Sequence, residues 1–352
     1  MPNLVIVTDP AHRGHDPAYE LNAGRLVSPR HERPARLDAI EAALTAAGLP
    51  RRGAMPADEA TLTAVHDAGL LAFLRDGYAA WRAAGGPEVM LPDTFRSPRW
   101  AGGGRPSASP LAAPGWWCVD TATPIVAGSY AAARAAVDVA VTAAELLTDG
   151  TPITYGLTRP PGHHAGPDYL GGFCLLNHAA VAARELSRFG RVAVLDVDVH
   201  HGNCTQDVFW RDPDVLYVSL HAHPDHLFPF FSGFAEERGE GPGRGTTCNL
   251  PLAAGTSDEG YLDALRIAAE VVEDFGPTAV VVSLGLDAAD ADPIGSLALT
   301  GDGFEHLGRT IAALDRPTVL LQEGGYALER LGELTLRVLS GLGTAPSPPP
   351  DT

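Results

Sequence analysis

Six short apolar runs limit what this chain can become: residues 4–7, 153–157, 192–197, 215–220, 279–284 and 318–322. Most are continuously apolar rather than alternating. Strands read this way when both faces are buried in a parallel sheet. Helical patterns separate them. Residues 33–47 carry Leu37, Ile40, Ala43 and Leu44 at helical spacing, and 125–147 is rich in Ala and Val. Further helices are expected over 177–187, 258–273, 303–314 and 328–339. The alternation predicts an α/β fold: a single central, mostly parallel sheet with helices on both faces.

A chain of 352 residues is long enough for one large domain, expected over residues 1–340. Residues 85–115 break the alternation. They hold Gly102, Gly103 and Gly104 among six prolines and read as a long loop inside the domain. Trp116 and Trp117 follow, as core residues or as a pocket wall. The Pro/Ser-rich stretch 341–352 reads as a disordered tail.

Composition excludes several function classes. Asp plus Glu is 43 against 25 Lys plus Arg, a net charge of −18, which argues against binding nucleic acid through its phosphates. No apolar run is long enough to span a membrane. The N-terminus lacks the basic region of a signal peptide and reads as a first strand. Cys118, Cys174, Cys204 and Cys248 show no paired spacing, as expected of reduced thiols in a cytoplasmic protein.

The chemistry gathers where the apolar runs end. Ligands in open α/β sheets bind outside the carboxyl ends of strands. His163 and His164 follow the second run. Asp196, Asp198, His200 and His201 end the third. Asp287 follows the fifth, and Glu323-Gly-Gly-Tyr326 the sixth. Carboxylates and imidazoles at the end of an apolar strand are costly unless paired, and a divalent cation is the simplest partner. Asp198 and His200, two apart, point the same way in extended chain. With Asp287 they would give zinc three ligands and an open position, the arrangement of a catalytic site. His163 and His164 are acid–base candidates, and Asp196 and Asn203 are at hand to orient them. Tyr326 follows a glycine pair and is either an oxyanion donor or a buried structural tyrosine. His223 and His226 are assigned to an entrance loop.

Five motifs together resemble a known family: Arg159-Pro-Pro-Gly-His-His-Ala165, Gly171-Gly-Phe-Cys-Leu-Leu-Asn177, Asp196-Val-Asp-Val-His-His-Gly-Asn203, Ser283-Leu-Gly-Leu-Asp287 and Glu323-Gly-Gly-Tyr326. They are similar to those of the zinc-dependent histone deacetylase superfamily, in its bacterial acetylpolyamine amidohydrolase-like branch. The resemblance implies the arginase/deacetylase fold and zinc on Asp198, His200 and Asp287. It pairs Asp196 with His163 and Asn203 with His164 as the acid–base machinery, and sets Tyr326 beside zinc at the scissile carbonyl. It implies a substrate tunnel lined by Gly172, Phe173 and Phe228. A potassium or sodium ion would be held by Asp196 and Ser219 side chains with carbonyls of Asp198, His200 and Leu220. A second monovalent site would use carbonyls at Phe209, Asp212 and Val215. A homodimer formed through the long loop is implied as well.

Three features depart from the family pattern. Cys204 replaces a glycine, Asn22 stands where a tyrosine is expected, and the long loop carries Arg96, Arg99 and Arg105, with no acid from 105 to 115. The expected activity is zinc-dependent removal of an acetyl or related acyl group from a small amine or an acyl-lysine. The alternatives are a catalytically silent binder of acylated ligands and a dinuclear manganese hydrolase using Asp290 and Asp292.

Overall fold

The computed structural model describes residues 4–345. Its strands are β1 (Leu4–Thr8), β2 (Glu20–Asn22), β3 (Arg25–Val27), β4 (Arg51–Gly53), β5 (Ile153–Gly156), β6 (Val192–Asp196), β7 (Val215–Ala222), β8 (Thr247–Leu252), β9 (Ala279–Leu284) and β10 (Thr318–Gln322). Its helices are α1 (Ala35–Ala46), α2 (Glu59–Thr63), α3 (Ala68–Ala83), α4 (Ala113–Trp117), α5 (Ser129–Thr148), α6 (His178–Leu186), α7 (Asn203–Phe209), α8 (Asp258–Phe275), α9 (Gly301–Ala313) and α10 (Leu328–Gly341).

Eight strands form one parallel sheet in the order β4-β1-β5-β10-β9-β6-β7-β8, while β2 and β3 make a separate antiparallel hairpin. Side chains alternate across each strand. Ala193 and Leu195 of β6 therefore pack into a core with α1, α8, α9 and α10, whereas Val192 and Val194 pack with α3, α5 and α6 on the other face. The continuous apolar runs are the record of this double burial.

The six expected strands are present. The apolar pattern misses the short β2–β3 hairpin and both edges of the large sheet: β4 is Arg-Arg-Gly, and β8 carries Pro251, which an edge tolerates. The stretch 85–115 is mostly loop, but α4 begins inside it at Ala113. The expected tail starts too early. Gly341 closes α10 and Leu342 is buried, while residues 346–352 lie outside the described residues. Trp116 and Trp117 are half-buried. Trp117 stacks on Phe73, and the Arg96 guanidinium lies over Trp116. Among the described residues, no cysteine is in a disulfide and no helix is long and apolar enough to cross a membrane.

Candidate metal centre and its cavity

The four strand ends singled out above belong to four consecutive strands, β5, β10, β9 and β6, at the middle of the sheet. Asp196 of β6 is in register with Ser283 of β9, and Gln322 of β10 with Leu284. The segments 197–203, 285–287 and 323–326 therefore leave the sheet side by side.

Ligand atoms of Asp198, His200 and Asp287 lie within 4.8 Å of one another, the carboxylates fully buried and the imidazole opening onto a cavity. Asp198 Oδ1 accepts from the His200 backbone N–H at 2.9 Å and Oδ2 from Gly324 N–H at 2.8 Å. Asp287 Oδ1 accepts from Val199 N–H at 2.9 Å. Asp287 Oδ2 accepts no hydrogen bond although it is fully buried, and His200 Nδ1 lies 3.3 Å away. Gly324 lets the backbone come this close: a Cβ there would sit 2.0 Å from Asp287 Oδ2. Burial would lower the His200 pKa, but Asp198 and Asp287 overcome it and hold it up at about 10. Burial and Asp198 push Asp287 up to about 7. Two buried carboxylates thus share one imidazolium, and a divalent cation would take the place of that proton.

His163 and His164 stand over this cluster with ring centroids 4.0 Å apart. His163 Nδ1 is 3.1 Å from Asp196 Oδ2, and His164 Nδ1 is 2.7 Å from Asn203 Oδ1. Burial would lower the His163 pKa, yet Asp198 and Asp196 raise it to about 10. Burial, then the neighbouring His163 and His200, push His164 well below the ordinary histidine range. The rings are adjacent, but one favours the cation and the other the neutral base. Burial pushes the Tyr326 phenol far up, so it remains an O–H donor.

These groups floor a cavity of about 420 Å³ whose inner walls include Gly172, Phe173 and Phe228. Phe228 meets His164 edge-on at 4.9 Å. Gly172 and Phe173 both have left-handed backbone, φ 55° and 68°. Asp120 Oδ2 holds this turn by accepting from Gly172 N–H at 2.5 Å, and Thr123 Oγ1 accepts from Phe173 N–H at 3.0 Å.

Sequence reasoning missed these supports. Asp120 left no signal. Arg36 left one: it lies on the same face of α1 as buried Ile40. It donates to Gly325 O and Glu323 O, both at 2.5 Å, and lies 4.5 Å under the Tyr326 ring. Arg159, the first residue of its motif, pairs with the buried Glu32 at 2.7 Å. Glu323 Oε2 accepts from Gly162 N–H at 2.6 Å, fixing the turn before His163.

Other expected residues fall elsewhere. Asp292 accepts from Tyr326 N–H at 2.7 Å and from Ile294 N–H at 3.1 Å, and Asp290 is exposed near Arg330. Neither joins the three-residue cluster, so the carboxylates needed to bridge a second metal are engaged elsewhere. His201 turns away from the cluster, toward Gln206 at 3.2 Å and the His221 ring at 4.6 Å. His223 is half-buried and His226 exposed, on the loop that carries Phe228. Ser219 Oγ pairs with His221 Nδ1 at 2.8 Å, on the strand that also holds Leu220 and Val215. Phe209 O accepts from Asp212 N–H at 3.0 Å, and Asp212 O from Thr246 Oγ1 at 3.0 Å. Cys204 is buried, 3.4 Å from Asn203 Nδ2.

Residues 30–342 match the model of the histone deacetylase domain. The chain is 40% identical over 334 residues to acetylpolyamine amidohydrolase 1 of Pseudomonas aeruginosa, covering 94% of this chain and 96% of that protein. It is 39% identical over 338 residues to the acetylpolyamine amidohydrolase of Mycoplana ramosa, covering 94% and 97%. The crystal structure of an acetylpolyamine aminohydrolase from Burkholderia pseudomallei superposes with a TM-score of 0.91 at 38% identity, covering 97% of this chain and 98% of that one. That likeness agrees with the arginase/deacetylase fold that the motif resemblance implies, and with the parallel α/β sheet that the strand pattern predicts. The chain belongs to the histone deacetylase and acetylpolyamine amidohydrolase family of hydrolases.

Proposed function

We propose that the chain is a zinc-dependent amidohydrolase that removes an acetyl or related acyl group from an amine, such as an acetylpolyamine or an acyl-lysine. The observation that carries this reading is the buried Asp287 Oδ2, which accepts no hydrogen bond and lies within reach of Asp198 and His200. One imidazole and two carboxylates form a donor set that suits zinc. Asp198, His200 and Asp287 would hold the ion. Once bound, zinc supplies Lewis-acid polarisation of the amide carbonyl and an acidified water.

The chain's own groups do the rest. Asn203 Oδ1 accepts, so His164 Nδ1 carries a proton and Nε2 is left as the free base. Water adds to the carbonyl carbon as His164 Nε2 takes its proton. The Tyr326 hydroxyl donates to the carbonyl oxygen as charge develops there. His163, oriented through Nδ1 by Asp196 Oδ2, donates to the amine nitrogen as the C–N bond breaks. Gly172, Phe173 and Phe228 exclude water around the acyl group.

The same reading includes a potassium or sodium ion at Asp196, Ser219 and the carbonyls of Asp198, His200 and Leu220. It also includes a second ion at Phe209, Asp212 and Val215, and a cytoplasmic homodimer. The test is a hydrolysis screen of acetylputrescine, acetylspermidine and acyl-lysine peptides, with chelator and with zinc restored. Hydrolysis that stops on chelation and returns with zinc is expected. No hydrolysis by zinc-loaded protein, or hydrolysis that ignores the chelator, contradicts the reading.

A further inference from the structure

The outer half of the cavity differs from its floor. Its rim, the partly exposed part of the lining, includes Leu21, Leu227, Phe230 and Ile294 together with the uncharged polar Asn22 and Thr121. Asp120 is the one carboxylate among the lining residues, and both its oxygens are engaged. Oδ2 accepts from Gly172 N–H at 2.5 Å, and Oδ1 from Ala122 N–H at 2.9 Å and Thr123 Oγ1 at 3.0 Å. Apolar side chains adjacent to these in chain or strand register are exposed. Phe230 is 48% exposed and Phe231 91%, Val119 beside Asp120 is 51% exposed, and Leu26, opposite Leu21 in the hairpin, is 63% exposed.

The backbone reinforces this pattern. Among the described residues, four non-glycine residues have positive φ, and three of them (Ala23, Phe173 and Phe230) line this one cavity. A bulky residue in left-handed backbone costs free energy that the fold must recover elsewhere, and such outliers gather at functional sites. Phe230, at φ 63°, is held half-exposed at the mouth in a conformation that phenylalanine disfavours.

We infer that the mouth selects N-acyl amines whose arm beyond the scissile nitrogen is apolar and uncharged, an alkyl- or arylalkylamine, over arms that end in an ammonium. This rests on the amidohydrolase reading. An alkyl arm gains by leaving water against Leu21, Phe230 and Ile294. An ammonium at the same depth loses hydration and meets no free carboxylate. An exposed carboxylate, Asp93, lines a second hollow of about 430 Å³ that shares Leu21 with this cavity.

The test compares two compounds that differ only at the tip, N-hexylacetamide and N-acetylcadaverine, on zinc-loaded enzyme. At least a tenfold higher kcat/KM for the hexyl compound is expected. Parity, or preference for the ammonium, overturns the inference. Calorimetric binding of both compounds to zinc-loaded Tyr326→Phe reads the same preference without turnover. Tighter hexyl binding with hydrolysis of neither keeps the inference and removes the amidohydrolase reading. The variant Phe230→Asp places a carboxylate at the rim, in a backbone conformation that aspartate accepts more readily than phenylalanine. It should bring the hexyl-to-cadaverine ratio to parity or below, and an unchanged ratio counts against the rim as its source. A preference for acetylspermidine over hexylacetamide that disappears in Asp93→Asn would assign the arm to the second hollow and overturn the inference.

Discussion

At the floor of the cavity, polar atoms are held from several sides. Asp198 accepts from Gly324 and His200, Asp287 from Val199, and Tyr326 N–H is held by Asp292. At the mouth, Leu21, Phe230 and Ile294 come from three loops or edges distant in sequence, and Phe230 stands half-exposed. The floor fixes geometry with buried hydrogen bonds, which are worth most where water is excluded. The mouth offers area. On this account, floor substitutions change turnover and mouth substitutions change substrate preference.

Chelation should break the contrast most completely by taking hydrolysis to background. The chelated protein should also melt lower, because an ion at a hundred times its Kd stabilises the fold by about 2.7 kcal/mol. Tyr326→Phe should keep its metal, by elemental analysis, and lose about 10²- to 10³-fold in kcat. Asn203→Ala leaves His164 Nδ1 without its acceptor, and a loss of about tenfold to a hundredfold in kcat is expected. Phe230→Ala should leave kcat within about twofold and raise KM several-fold, since it removes contact made equally in ground and transition states. A kcat collapse there would erase the distinction between floor and mouth.

Stability gives a separate check on the floor's supports. Against the upward push of burial, Arg159 and Arg36 hold Glu32 down at about 2. A carboxylate depressed in the folded state stabilises above its unfolded pKa of 4.5 and loses that contribution as pH falls toward 2. Acid unfolding of the wild type should therefore show a component between about pH 4.5 and 2 that Glu32→Gln lacks. The variant should already be destabilised at neutral pH by about 3–5 kcal/mol, the range for breaking one partner of a buried pair. Circular dichroism through an acid titration reads both.

The same contrast explains what was legible in the sequence. Asp198 and His200 are two apart at the end of an apolar strand, and short range is enough to aim them together. Asp287 and Tyr326 could be read because each also follows a buried strand. β4 and β8 were lost because edge strands carry little apolar signal. Asp120 was lost, and Asp292 was read only as a carboxylate for a second metal, because each supports a turn far away in sequence, Gly172 and Tyr326 respectively, and no local spacing encodes that. The rim draws on positions 21, 227, 230 and 294, which share no period.

Anomalous diffraction at the zinc edge, on crystals of protein purified with zinc, tests the central claim most directly. One strong peak per chain is expected between Asp198, His200 and Asp287, about 2.0–2.2 Å from their ligand atoms, and absent in Asp287→Ala. A peak elsewhere, or full hydrolysis by Asp287→Ala with that position empty, would contradict the account.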